Sequence, residues 1–132
     1  MDISYILDDL NPIQREAVTE ELPYSLVLAG AGSGKTKVIT HKVAWLCKVK
    51  EINPLSLMTV TFTNKAAKEI KSRLSESLDI SIDSMWVGTF HGICYRILRA
   101  NYQKVSLPKN FQIIDTDAVS YTHLTLPTTP YV

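Results

Sequence analysis

The sequence predicts an α/β domain built on a parallel sheet with helices on both faces, and three observations point there. Short β-rich runs alternate with longer amphipathic segments along the whole chain. The strand candidates are near-continuous apolar runs, as strands covered on both sides require, rather than alternating apolar and polar ones. A glycine-rich turn joins the first such run to the helix that follows it.

Taken in order, "NPIQREAVT" predicts a short helix, with Asn11 as N-cap, Pro12 at its first position and Gln14 at the capping-box position. "YSLVLA", Tyr24 to Ala29, is an apolar run of strand length between Pro23 and the glycine-rich turn. A helix is predicted from Lys35 to Lys48, with Val38, Ile39, Val43 and Leu46 on one side. "LSLMTVTF", Leu55 to Phe62, reads as a second buried strand after the turn signal Asn53-Pro54. Asn64 opens a further helix whose apolar stripe is Ala67, Ile70, Leu74 and Leu78. "MWVGTF" is a third short strand, and His91 to Tyr102 a helix with Ile93, Ile97 and Leu98 turned inward.

Bulk properties fit one domain. A chain of 132 residues buries roughly two-thirds of its unfolded surface on folding. It is 45% apolar and 20% charged, with a formal charge of +1 that neither points to nor excludes nucleic acid. Cys47 and Cys94 lie in apolar helical patterns without zinc-ligand spacing, so buried free thiols in a reducing compartment are expected. The acidic start "MDISYILDDL" has no signal-peptide pattern, and no apolar run reaches membrane-spanning length. A cytoplasmic protein without a membrane partner is expected.

The strongest chemical signal is "VLAGAGSGKT". It follows the pattern G-x-x-x-x-G-K-[ST], with Ala29 in the place of the first glycine. Gly30, Ala31, Gly32, Ser33 and Gly34 are small enough for the backbone to curl around phosphates. Successive N–H groups then form an anion nest, reinforced by the positive end of the next helix. Lys35 is placed to reach β- and γ-phosphates, and the Thr36 hydroxyl to ligate Mg²⁺. The loop by itself chooses neither ATP over GTP nor hydrolysis over kinase chemistry.

Two further regions carry chemistry with more than one reading. Gln14 precedes the loop, and its carboxamide can pair with the edge of adenine; equally, it can serve only its capping box. "MTVTFTNKAAKEIKSRL" and "WVGTFHGICYRILR" each place a strand end, then Thr-Phe, then a helix start. In a parallel sheet such ends gather along one edge, where ligands bind. Hydroxyls, amides and aromatic rings there suit a nucleic-acid strand. The plainer reading makes Thr63 or Asn64 and Thr89 helix caps, with Phe62 and Phe90 in the core. His91 has no Ser or Cys nucleophile with a supporting acid, which argues against a hydrolase triad.

Together "LNPIQREAV", "VLAGAGSGKTKVITHKVAWL", "MTVTFTNKAAKEIKSRL" and "MWVGTFHGICYRILRA" resemble, in order and spacing, the Q motif and motifs I, Ia and Ib of UvrD/Rep-type superfamily 1 DNA helicases. "LPKNFQIID" resembles the segment that follows, so the likeness runs from about Leu10 to Asp117. The resemblance implies the first part of a RecA-like motor domain that uses ATP and Mg²⁺. Its implied partners are single-stranded DNA and duplex junctions, with translocation 3′ to 5′; protein partners stay unspecified. It assigns Gln14 to adenine, Ala29 to Thr36 to the phosphates, and Thr36 to Mg²⁺. Lys37 stands where the family often has Arg beside the nucleotide. Phe62, Thr63, Asn64, Thr89, Phe90 and His91 would lie against DNA. Lys65, Lys68 and Arg73 could add backbone charge, although a solvated basic face suffices to explain them.

Hydrolysis in that family also needs a Walker B Asp-Glu and arginines from a second domain. "FQIIDTD" ends an apolar run on Asp115, but Thr116 follows where Glu is needed, which favours a cap or turn role at the entry, near 111–117, to an inserted helical subdomain. No "DExQD"-like stretch occurs. The alternative to a motor piece is therefore a truncated nucleotide- or DNA-binding module without motor activity. A small-molecule kinase would need a lid and an acceptor site, and neither is recognisable. Residues 118–132 fall outside the likeness. "VSYTHL" resembles one reading frame of a transposon-end sequencing adapter, so read-through is expected there, and Tyr121 and His123 are not site residues.

Overall fold

The computed structural model describes residues 3–79 and 81–114. Asp115 and residues 118–132, with the readings attached to them, lie outside the described residues. The chain forms two compact units, residues 1–90 and 91–132.

In the first unit, α1 (Tyr5–Asp8) leads to α2 (Pro12–Thr19), which starts as its sequence dictates. Asn11 Oδ1 accepts from the Gln14 amide at 2.8 Å, and Gln14 Oε1 accepts from the Asn11 amide at 3.1 Å, closing a capping box. Helix α3 spans Lys35–Lys48 as predicted. A 3₁₀ turn at Pro54–Ser56, capped by Asn53, precedes β1 (Met58–Thr61). Helix α4 (Asn64–Ser77) starts at Thr63, whose hydroxyl accepts from the Ala66 amide at 3.2 Å. A second 3₁₀ turn, Ile82–Ser84, leads into β2 (Trp86–Thr89), and Phe90 begins α5 (Phe90–Asn101).

β1 and β2 pair in parallel, with Met58 opposite Trp86 and Thr61 opposite Thr89. Helix α4 supplies the crossover that a parallel pair requires. Its predicted stripe is buried as expected: Ala67, Ile70, Leu74 and Leu78 all face inward. Ile70, Leu74 and Leu78 join Ile6, Val43, Ala44, Ile82, Met85 and Val87 in one core cluster.

Two expectations are corrected. Tyr24–Ala29 is not a strand: the segment from Glu21 to Gly30 is irregular, bends at Pro23 and Tyr24, has no ladder partner among the described residues, and is exposed throughout. Leu26 and Leu28 are 84% and 85% exposed. An apolar run becomes a strand only when neighbours supply backbone partners and cover both faces. The second strand is also shorter than Leu55–Phe62, because Pro54 closes a 3₁₀ turn through Ser56.

The described part of the second unit is the body of α5 and a 3₁₀ turn, Tyr102–Val105, after which the chain folds back. Arg99 donates to the Lys109 carbonyl at 3.0 Å and lies over the Tyr95 ring, whose edge meets Phe111. Ile93 is buried, whereas Ile97 is 40% exposed rather than turned inward. Among the described residues no helix is long and apolar enough to cross a membrane.

Candidate nucleotide and nucleic-acid site

The glycine-rich turn sits at the mouth of α3. Gly32 and Gly34 have φ of +73° and +83°, conformations that side chains strongly disfavour. Gly34 is the helix N-cap, and the first bond inside the helix runs from the Val38 amide to the Gly34 carbonyl. The amides of Lys35, Thr36 and Lys37 therefore have no carbonyl within the helix to bond. Nothing lies within 4 Å of where a Cβ on Gly30 or Gly32 would sit, so the turn is open at those two positions. Ser33 closes the turn by donating its hydroxyl to the Gly30 carbonyl at 2.6 Å.

Lys35 folds back across this turn, its ammonium 2.8 Å from the Gly30 carbonyl and 3.4 Å from that of Ala29. The loop carbonyls hold the cation at the site where the sequence pattern places phosphate. Thr36 is half-buried in the first turn of α3. Lys37 turns away from the loop and donates to the Asp9 carbonyl at 2.6 Å.

Gln14 takes the capping role that the sequence offered and adds a second contact. Besides closing its capping box, it donates from Nε2 to the Ser33 carbonyl at 3.0 Å. One carboxamide thus ties the start of α2 to the glycine-rich turn. A Cβ on Gly34 would lie 2.7 Å from Gln14 Nε2, so close approach as well as positive φ demands glycine there.

Two lysines of the α3 region tether the start of the irregular segment. Lys42 donates to the Glu20 carbonyl, and Lys50 pairs with the Glu21 carboxylate. The hydrogen bond from Lys50, and then its charge, hold the Glu21 carboxyl below the usual carboxylate range. Between the irregular segment, α2, α3 and β1 lies a cavity of about 750 Å³. Val38, Ile39, Val43 and Leu46, the predicted inner stripe of α3, line it, and it reaches from Gly30, Ser33 and Lys35 to Met58–Val60 of β1. The stripe was legible in the sequence; its facing an open cavity was not.

At the C-terminal ends of the strand pair, Phe62 and Phe90 meet with ring centroids 5.1 Å apart and planes at 47°. Their rings are exposed, Phe62 by 88% and Phe90 by 49%, so the core reading fails for both. Thr63 does act as the cap of α4, and Asn64 is exposed as the first residue of that helix. Thr89 ends β2 beside Thr61. His91 is exposed in the first turn of α5 and belongs by packing to the second unit. Of the basic residues on α4, Arg73 is paired with Glu69 at 2.8 Å, which supports the solvated-face reading for it.

A glycine-rich turn curled at a helix mouth, a lysine lying across it and an exposed aromatic pair at the ends of parallel strands characterise this α/β chain. The chain belongs to the UvrD/REP helicase family: the family model described as the UvrD/REP helicase N-terminal domain matches residues 10–128. It is 53% identical over 117 residues to DNA helicase II of Escherichia coli (strain K12), a match that covers 89% of this chain and 16% of the relative. It is 52% identical to DNA helicase II of Haemophilus influenzae over 121 residues, 89% of this chain and 17% of the relative. With ATP-dependent DNA helicase PcrA of Bacillus subtilis (strain 168) the identity is 45% over 111 residues, 84% of this chain and 15% of the relative. The chain thus spans about a sixth of the length of the relatives it matches.

Proposed function

We propose that this chain is the nucleotide-binding part of an ATP-dependent DNA helicase, within a RecA-like first motor domain that tracks single-stranded DNA 3′ to 5′ and opens duplex at junctions. The observation that carries the reading is the Lys35 ammonium resting on the Gly30 carbonyl at the mouth of α3. Phosphate oxygens attract the ammonium more strongly than backbone carbonyls do, because they carry negative charge and add an ion-pair attraction that a neutral carbonyl lacks. Lys35 would exchange its loop carbonyls for β- and γ-phosphate oxygens, while the amides of Lys35, Thr36 and Lys37 and the open faces of Gly30 and Gly32 take up the remaining charge. The Thr36 hydroxyl would ligate Mg²⁺, and Gln14, held beside Ser33, would meet adenine. In the parent protein this domain would open and close on a second motor domain as ATP binds and is hydrolysed, the nucleotide supplying the phosphoanhydride. Phe62 and Phe90 would stack on bases, with Thr63, Asn64, Thr89 and His91 along the strand.

Among the described residues that line the cavity beside the loop there is no Asp or Glu. That favours a second reading for the chain as it stands: it holds nucleotide without hydrolysing it, since a Mg²⁺-orienting carboxylate is required for turnover. The test is binding of a fluorescent ATP analogue with Mg²⁺, alongside ATPase assays with and without oligo-dT. Binding abolished by Lys35→Ala, with negligible turnover, is expected. Binding indifferent to Lys35→Ala would remove the phosphate-loop reading, and a robust DNA-stimulated rate abolished by the same change would remove the second.

A further inference from the structure

The second unit carries charge that the candidate site does not use. Between His91 and Ile114 stand Arg96, Arg99, Lys104 and Lys109, and no Asp or Glu. All four cations are exposed. Helix α4 offers the contrast: its four cations, Lys65, Lys68, Lys71 and Arg73, are interleaved with Glu69 and Glu76, and Arg73 is paired within the helix. Arg99, Lys104 and Lys109 present their charge to solvent with no acid between them in the sequence.

The geometry also gathers part of this charge. Arg99 holds the Lys109 carbonyl at 3.0 Å, which brings the end of the returning chain to α5, with Lys104 in the 3₁₀ turn between them. The Arg99 guanidinium lies 5.6 Å from the centre of the Tyr95 ring, which anchors it from a second side. Clustered cations with interleaved aromatics suit a phosphodiester backbone, whose charges are dense, regular and partly screened by counterions that binding releases.

We infer that the α5 turn-back, through Arg99, Lys104 and Lys109, is a second nucleic-acid contact surface that grips phosphates without reading bases. The inference rests on the DNA-binding reading above and adds a surface to it. The test uses the full chain in fluorescence anisotropy titrations at several salt concentrations, with oligo-dT in one arm and a blunt hairpin duplex in the other. Lys104→Gln/Lys109→Gln changes two exposed side chains without touching the Arg99 anchor. It is expected to lower the slope of log K against log salt by about 1.4 on the single strand, or by about 1.8 if the duplex is the surface's substrate. The arm that changes identifies the source of the phosphates. Lys104→Arg/Lys109→Arg should keep the original slope, and unchanged thermal melts guard against misfolding. Phe62→Ala should weaken binding at every salt concentration with the slope intact. Wild-type binding whose slope is unchanged by the Gln pair would overturn this surface alone. A slope change with Phe62→Ala inert would uphold this surface and sink the aromatic site, and absence of any DNA binding would sink both.

Discussion

Gly34→Ala tests the connection between the glycine-rich turn and α2. The change places a methyl group in a backbone conformation with φ of +83°, and 2.7 Å from Gln14 Nε2. The left-handed conformation alone costs roughly 1–2 kcal/mol for a residue with a Cβ. Because the atom in the way is the end of a flexible side chain, the carboxamide can swing aside. Doing so gives up its hydrogen bonds to the Ser33 carbonyl and the Asn11 amide. Two partly exposed hydrogen bonds of this kind contribute about 1–2 kcal/mol together. Gly34→Ala should therefore destabilise by about 2–4 kcal/mol, against about 1–2 kcal/mol for Gln14→Ala, on the same reckoning. The double variant should cost no more than Gly34→Ala, because the contact that the methyl displaces is already gone. The two effects then fall short of additivity by about 1–2 kcal/mol, well beyond the scatter for independent sites. Urea unfolding followed by circular dichroism gives the cycle. Additivity within about 0.5 kcal/mol would show that Gln14 does not lie against Gly34, and the link between helix and turn would have to be abandoned.

Two further expectations follow from packing and burial. Leu74→Ala should cost about 2–5 kcal/mol, since its side chain has no exposure and sits at the centre of the core cluster. Ile97→Ala, at 40% exposure, should cost much less, and equal losses in urea melts would contradict the burial of α4 relative to α5. The thiols should also separate. Cys94 is exposed, whereas Cys47 packs against the core and burial pushes its thiol up in pKa. Only the thiolate reacts, so under iodoacetamide at mildly alkaline pH, Cys94 should be labelled first and Cys47 should require a higher pH. Peptide mapping that finds Cys47 modified first would refute this.

Much of the fold was legible because several local signals agreed. Helix α4 had a cap at Thr63 and a stripe at Ala67, Ile70, Leu74 and Leu78, and both appear as read. Helix α3 came out at its predicted bounds because the glycine-rich turn fixes its start. Ile97 failed for a different reason. A helical period identifies one apolar face, but how far that face is covered depends on residues distant in sequence. The same limit hid the cations of α5 and its turn-back: each is unremarkable alone, and only the Arg99 to Lys109 contact brings two of them together.

Tyr24–Ala29 shows where pattern and structure part most clearly, and the reason bears on function. Apolar continuity specifies a strand with two covered faces and two paired edges, all of which other segments must supply. The run meets none of those conditions among the described residues, and its side chains stand beside the cavity that reaches from Lys35 to β1. The glycine-rich turn is nevertheless formed. Its shape is held by the Ser33 hydroxyl on the Gly30 carbonyl, the Lys35 ammonium on the same oxygen, and the Gln14 carboxamide on the Ser33 carbonyl. The shape of the turn is thus secured locally by three side chains and the start of α3, without the preceding segment being in a sheet. That separates two requirements the sequence pattern merges: a short local motif shapes the loop by itself, whereas making a strand of the run before it takes partners that other segments must supply.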